Sequence, residues 1–419
     1  MSDGSCGMIP DVLTQHLEMA VHLAAVRRPL LSGPHVALRH LARADERLAA
    51  HLDGLSVAGR TAARAIERSL EQTSPATVFV ASVYALSEEG GPRLERLLAL
   101  CEAQPQWLPG ITMALGWVEA RQLQGLAAQL LDRGGATERL VGLAACAWHR
   151  VDPGPRLLRS LEDADIPVQA RALRTAGELG LRPLGSACLA NAADSNTSCA
   201  FWGAWSAVLL GDRHAALERL VQVAVVPGPL QARALALAIQ AKSVPAAHEL
   251  LRSSLGDPRE IRSLIRATAL TGDPVYIDWL IGLMASQSLA RVAGEAFSLV
   301  TGVDLARLDL ERQPPAGLDP GPNDNPEDAN VEMDEDDGLP WPDPERVQGW
   351  WKVNSPRFQA GVRHFMGAPL ERENCRRVLR EGYQRQRIAA AVYLSLLNPG
   401  TPLFEWRAPA RRQQRLLAQ

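Results

Sequence analysis

The sequence predicts an all-α fold: an α-solenoid of short helix pairs, about 31 residues each, with a helical N-terminal cap and a C-terminal helical module. Three observations predict it. Helix-favouring Ala, Leu and Arg dominate the 419 residues, while Val, Ile and Thr runs are short and few segments alternate as strands do. Small residues recur at a step of 31: Ala114, Ala145, Ala176, Ala207, Ala238 and Ala269, with Val83 one step before and Val300 one step after. Breakers and charged residues keep the same beat, near Glu88–Gly91, Glu119–Gln122, Arg150–Pro153, Gly180–Pro183, Gly211–Arg213, Lys242–Pro245 and Gly272–Pro274.

Residues 1–75 read as the helical cap. The stretch Leu38–Leu48 is strongly amphipathic, and His51-Leu52-Asp53-Gly54-Leu55 is read as closing it. Residues 76–312 carry the repeat. Gln169-Ala170-Arg171-Ala172-Leu173 recurs unchanged as Gln231-Ala232-Arg233-Ala234-Leu235, 62 residues on. A second ladder runs Tyr84, Leu115, Cys146, Gly177, Val208, Ile239, Leu270, and a third runs Leu86, Trp117, Trp148, Leu179, Leu210. A unit of this length holds two helices of about 11–13 residues and a turn. The small residue marks a close helix crossing, where a larger side chain would cost about 1–3 kcal/mol.

Residues 313–345 break the pattern. They hold eleven acidic residues, among them Asp334-Glu335-Asp336-Asp337, no Lys or Arg, and many Pro and Gly. Such a composition cannot bury a core. Three readings stay open: a solvated linker, a segment folded back on the basic tail, or a contact for a basic partner. Residues 346–419 hold fourteen basic and four acidic residues, while 1–312 is nearly neutral. Trp341, Trp350 and Trp351 flank the acidic stretch and read either as anchors docking the tail on the last repeat or as exposed anchors for a partner. The candidate partner-binding residues are therefore Asp334, Glu335, Asp336, Asp337, Trp341, Trp350 and Trp351.

The net charge of -3 gives no overall bias toward nucleic acid. The six cysteines are scattered without a CxxC, the usage of a reducing compartment. The N-terminus shows no secretory pattern and no apolar run reaches the roughly 18 residues of a membrane span, so a cytoplasmic location is expected. No phosphate-binding loop, dinucleotide-binding glycine motif, H-E-x-x-H or G-x-S-x-G is present, and the nine histidines form no convincing i, i+4 pair. No catalytic residue, metal or cofactor is expected, and the partner is expected to be a protein rather than a small-molecule substrate, a membrane or nucleic acid.

Asp165-Ile166-Pro167-Val168, followed by Ala172, Ala176, Leu179 and Gly180, resembles a short HEAT-like repeat, with Asp165 as helix cap and Gly180 as its left-handed end. The likeness covers about residues 76–303. Further motifs extend it: Leu339-Pro340-Trp341-Pro342-Asp343-Pro344, Trp350-Trp351, Gly361-Val362-Arg363, Gln384-Arg385-Gln386-Arg387, the stretch 402–410, Ala293-Gly294-Glu295-Ala296-Phe297 and Thr301-Gly302-Val303-Asp304. With Arg47-Leu48 and His51–Leu55 they resemble an uncharacterised family of proteobacterial HEAT-like proteins encoded beside type VI secretion genes. The resemblance implies no enzyme activity. It implies a role near a secreted effector: an immunity protein that neutralises a toxin, such as a nuclease, or an adaptor or chaperone for effector loading. A nucleic-acid-acting repeat enzyme is the alternative from another class; it needs a basic groove, which the near-neutral residues 1–312 disfavour.

Overall fold

The computed structural model describes residues 10–87, 91–253, 261–315, 327 and 334–418. Among them the chain is all-α, with 72% helix in 21 helices and one two-stranded hairpin. None of these helices is long and apolar enough to cross a membrane. The chain divides into two compact units. The first comprises Met1–Ser32, Val36–Ser206 and Gly400–Gln419; the second comprises Gly33–His35 and Ala207–Pro399. The basic stretch expected as one module at 346–419 is thus shared between them.

In the first unit, Pro10–Leu30 packs on Leu38–Ser69. Leu41, Leu48, Leu52 and Leu55 form the buried stripe that the amphipathic pattern predicts. The helix does not close at His51–Leu55 but runs on to Ser69, kinked at Gly59. Gly54 lies inside it because the His16 ring occupies the space its Cβ would need. These helices share one apolar cluster with the pairs that follow, extending to Ala145. The helix pairs of this unit are Pro75–Ser87 with Gly91–Ala103, Leu108–Trp117 with Leu126–Asp132, Ala136–His149 with Pro155–Leu161, and Ile166–Glu178 with Gly185–Asn191. The first helix of one pair packs against the first helix of the next. Asp165 caps its helix by accepting from the Val168 N–H at 3.1 Å, and Gly180 takes φ +68° just past its end.

The second unit holds Ala215–Ala224, then Gln231–Ala241 with Val244–Ser253, Ile261–Thr271 with Ile277–Leu283, and Ala290–Thr301. Again the first helices pack in succession. Several second helices are only 7 residues long, shorter than expected, because a 3-10 turn such as Arg182–Leu184 or Pro274–Tyr276 takes up part of the segment. After the acidic stretch come Pro344–Asn354, the hairpin His364–Phe365/Ala368–Pro369, Arg372–Glu381 and Gln384–Leu397. Met366 and Gly367 make the hairpin turn, both with positive φ. The small-residue ladder is buried throughout: Ala114, Ala145, Ala176, Ala207, Ala238 and Ala269 are each no more than 4% exposed.

Candidate functional site

A zipped neck in the second unit brackets the acidic stretch. Arg312 N–H donates to the Trp341 carbonyl and Asp343 N–H to the Leu310 carbonyl, each at 2.8 Å, around a bridge between Glu311 and Pro342. Much of the stretch between lies outside the described residues. Its end, Asp334–Asp337, folds as a turn. The Asp334 carboxylate accepts from the Asp336 N–H at 3.0 Å, and its carbonyl accepts from the Asp337 N–H at 3.1 Å.

This turn sits on arginines from three helices. Asp334 meets Arg291 at 2.6 Å, Asp336 meets Arg262 at 2.5 Å, and Glu335 meets Arg266 at 3.1 Å and Arg262 at 3.3 Å. Arg385 donates to the Glu335 carbonyl at 2.9 Å and pairs with Glu295 at 2.8 Å. The described end of the segment therefore folds back chiefly on arginines of Ile261–Thr271 and Ala290–Thr301, and Arg385 of the basic tail also meets it.

Burial alone would raise the carboxyl pKa of Asp334 and Glu335. Hydrogen bonds and the fields of Arg291, Arg266 and Arg262 outweigh it, and both lie below their ordinary values. Glu295 goes the other way: burial dominates and raises it despite Arg385. The turn is thus held in its charged form on a cationic surface.

The other predicted site residues divide by burial. Asp337 is exposed. Trp341 is buried, with the Arg291 guanidinium 4.7 Å from its ring centre. Trp351 is buried against Phe358, and half-buried Trp350 meets Phe297 edge-on at 5.8 Å. Trp350 and Trp351 belong to the apolar cluster that joins Pro344–Asn354 to the last helices. As placed, Trp341 and Trp351 are not exposed anchors.

Helix C-termini within each unit are met by donors from distant parts of the chain, which makes a second arrangement. An α-helix leaves its last four carbonyls unpaired and a partial negative charge at that end. In the second unit, Arg363 supplies four donors: to Ile239 at 2.9 Å, Gln240 at 2.5 Å, Lys242 at 3.0 Å and Thr271 at 3.0 Å. The Tyr393 hydroxyl donates to Leu270 at 2.6 Å, the His364 N–H to Gly272 at 2.7 Å and the Met366 N–H to Leu299 at 2.7 Å. Arg213 bridges the carbonyls of Val208 and Leu396.

In the first unit, Leu403 N–H donates to the Glu178 carbonyl at 2.9 Å and Arg412 to Val118 at 2.7 Å. Buried Glu178 is ringed by Arg171 at 2.7 Å, Arg174 at 2.8 Å and Arg407 at 3.6 Å, and Glu405 pairs with Arg407 and Arg150. Four arginines of the tail, Arg363, Arg387, Arg411 and Arg412, are spent inside the chain on carbonyls at helix C-termini. The motifs Gly361-Val362-Arg363 and Gln384-Arg385-Gln386-Arg387 did carry the relevant residues, but nothing in one sequence says which carbonyls they meet.

Among the described residues no cluster of three or more His, Cys, Asp or Glu side chains could hold a metal ion. Comparison with protein-family models, with curated proteins and with solved structures found no match. The functional reading therefore rests on the chain's own residues and on the motif resemblance.

Proposed function

We propose that this chain is a protein-binding repeat protein, an α-solenoid of HEAT-like helix pairs that binds rather than catalyses. We further propose that it acts in the cytoplasm as an immunity protein, binding and neutralising a type VI secreted antibacterial toxin, with a nuclease as the favoured class. The observation that carries the scaffold reading is the buried ladder of small residues at 31-residue steps, with first helices packed in succession inside each unit. Stacked pairs of this kind present extended surfaces whose commonest use is protein recognition. The toxin-neutralising role is carried by the motif resemblance. The arginines that cap helix carbonyls favour protein binding over nucleic-acid binding, since Arg363 and Arg412 are already engaged.

The test is growth of cells expressing each type VI antibacterial toxin of the source organism, with and without the full chain. Co-expression is expected to restore growth, and purified chain is expected to form a stoichiometric complex with the toxin. Undiminished toxicity with the chain expressed and folded contradicts the immunity role and favours effector loading.

A further inference from the structure

We propose that Arg262, Arg266, Arg291 and Arg385 form a recognition site for an acidic peptide segment of a protein partner, filled in this structure by the chain's own Asp334–Asp337 turn. The inference rests on the protein-binding reading but not on the toxin-neutralising role.

Charge gives the first argument. The four arginines face Glu295 and the three carboxylates of Asp334, Glu335 and Asp336. With the turn lifted away, the four guanidinium groups lose the three carboxylates of Asp334, Glu335 and Asp336, while Glu295 stays on Arg385. Like charges brought together in this way favour any carboxylate-bearing occupant.

The second argument is what the surface reads. Three successive side chains are met by arginines, Asp334 by Arg291, Glu335 by Arg266 and Arg262, and Asp336 by Arg262, and Arg385 takes a main-chain carbonyl, that of Glu335. A backbone carbonyl flanked by carboxylates is the signature of an acidic peptide, not of a phosphate group. Arginine suits the task because its planar fork holds carboxylates in fixed geometry.

The third argument is access. Asp336 is buried, but the Glu335 side chain is 65% exposed and Arg266 is 40% exposed. An incoming carboxylate can therefore replace Glu335 on Arg266 and Arg262 while Asp334 and Asp336 still hold. The neck bonds of Leu310 and Arg312 to Asp343 and Trp341 lie outside the turn, so they need not break when it lifts. While the turn sits in place, it lowers the apparent affinity for any competitor by the fraction of sites left vacant.

The test uses the full chain and a fluorescein-labelled hexapeptide, Asp-Glu-Asp-Asp-Gly-Leu, followed by fluorescence anisotropy. In the variant Asp334→Asn, Glu335→Gln, Asp336→Asn, the peptide is expected to bind at least about tenfold more tightly than to the wild-type chain. Adding Arg262→Gln and Arg291→Gln to that variant is expected to abolish binding, and a peptide with amides in place of its first three carboxylates is expected not to bind. Glu335→Gln alone, at an exposed side chain, is expected to tighten binding about threefold. If the triple variant does not fold, this single variant decides, and unchanged affinity overturns the proposal. A folded triple variant that ignores the peptide also overturns it. So does one that binds inorganic tripolyphosphate or single-stranded DNA as tightly, which makes the surface a general anion binder. Peptide binding without protection from the toxin removes the immunity role and leaves this site standing; protection without peptide binding does the reverse.

Discussion

The backbone N–H of Leu403 donates to the carbonyl of Glu178 at 2.9 Å. A residue near the end of the chain thereby closes the last turn of the helix Ile166–Glu178. The same logic recurs in the second unit, where Arg363 holds the ends of Gln231–Ala241 and Ile261–Thr271 together. In both cases carbonyls at a helix end are satisfied from a distant segment of the chain, and the positive charge of Arg363 suits the negative ends it meets.

Arg363→Met is expected to destabilise the second unit by about 3 kcal/mol, because carbonyls from two helices lose a charged donor together. Arg363→Lys restores little of this, since an ammonium cannot reproduce the guanidinium fork. Urea unfolding followed by circular dichroism measures both.

Gly177→Ala is expected to destabilise by about 1–3 kcal/mol, although Ala is the better helix former. A Cβ at Gly177 would press on Ser206, including its backbone Cα, and Ser206 is fixed by its bond to the Leu173 carbonyl at 2.7 Å. A thermal melt no lower than that of the wild type would show that this crossing has room to spare.

Burial alone would raise the carboxyl pKa of Glu178, but Arg171, Arg174, Arg407 and Arg150 outweigh it and hold it far below its ordinary 4.5. Glu405 is lowered in the same way by Arg407 and Arg150. For a depressed carboxyl, the stabilisation is present above 4.5 and is lost as pH falls below that value toward the folded one. The first unit is therefore expected to weaken in acid below 4.5. Glu178→Gln costs about 3–5 kcal/mol at neutral pH, because it strands buried guanidinium charge, and it flattens the acid limb. Denaturant midpoints measured across this range provide the check.

Burial pushes the thiols of Cys101 and Cys146 up to about 11 and those of Cys188 and Cys375 to about 12. At neutral pH these four are expected to resist a thiol reagent in the native chain and to react once urea unfolds it. Mass spectrometry of labelled peptides distinguishes the two states; rapid native labelling of Cys146 would contradict the burial described.

How much of this could be read in the sequence depends on whether the cause was local. The small-residue ladder was legible because a tight crossing tolerates few side chains, and its alanines are buried. Asp165 and Gly180 were legible as helix ends because capping acts within a few residues. Gly54 misled, since its lack of a side chain serves the distant His16 ring rather than a helix end. The acidic run was visible as composition, but its place on Arg262, Arg266 and Arg291 was not, because those arginines lie at least some forty residues away in sequence. The role of Arg363 was hidden for the same reason: its partners lie on helices that only the fold brings together.

The central claim is that this chain works by binding another protein. It is tested most directly by recovering the tagged full chain from its native cells and quantifying what comes with it by mass spectrometry. Stoichiometric recovery of one secreted toxin is expected, with an interface mapped by cross-links to the chain. Recovery of secretion-machine components alone would contradict the neutralising role, and a chain that comes down with no stoichiometric partner would contradict the binding claim itself.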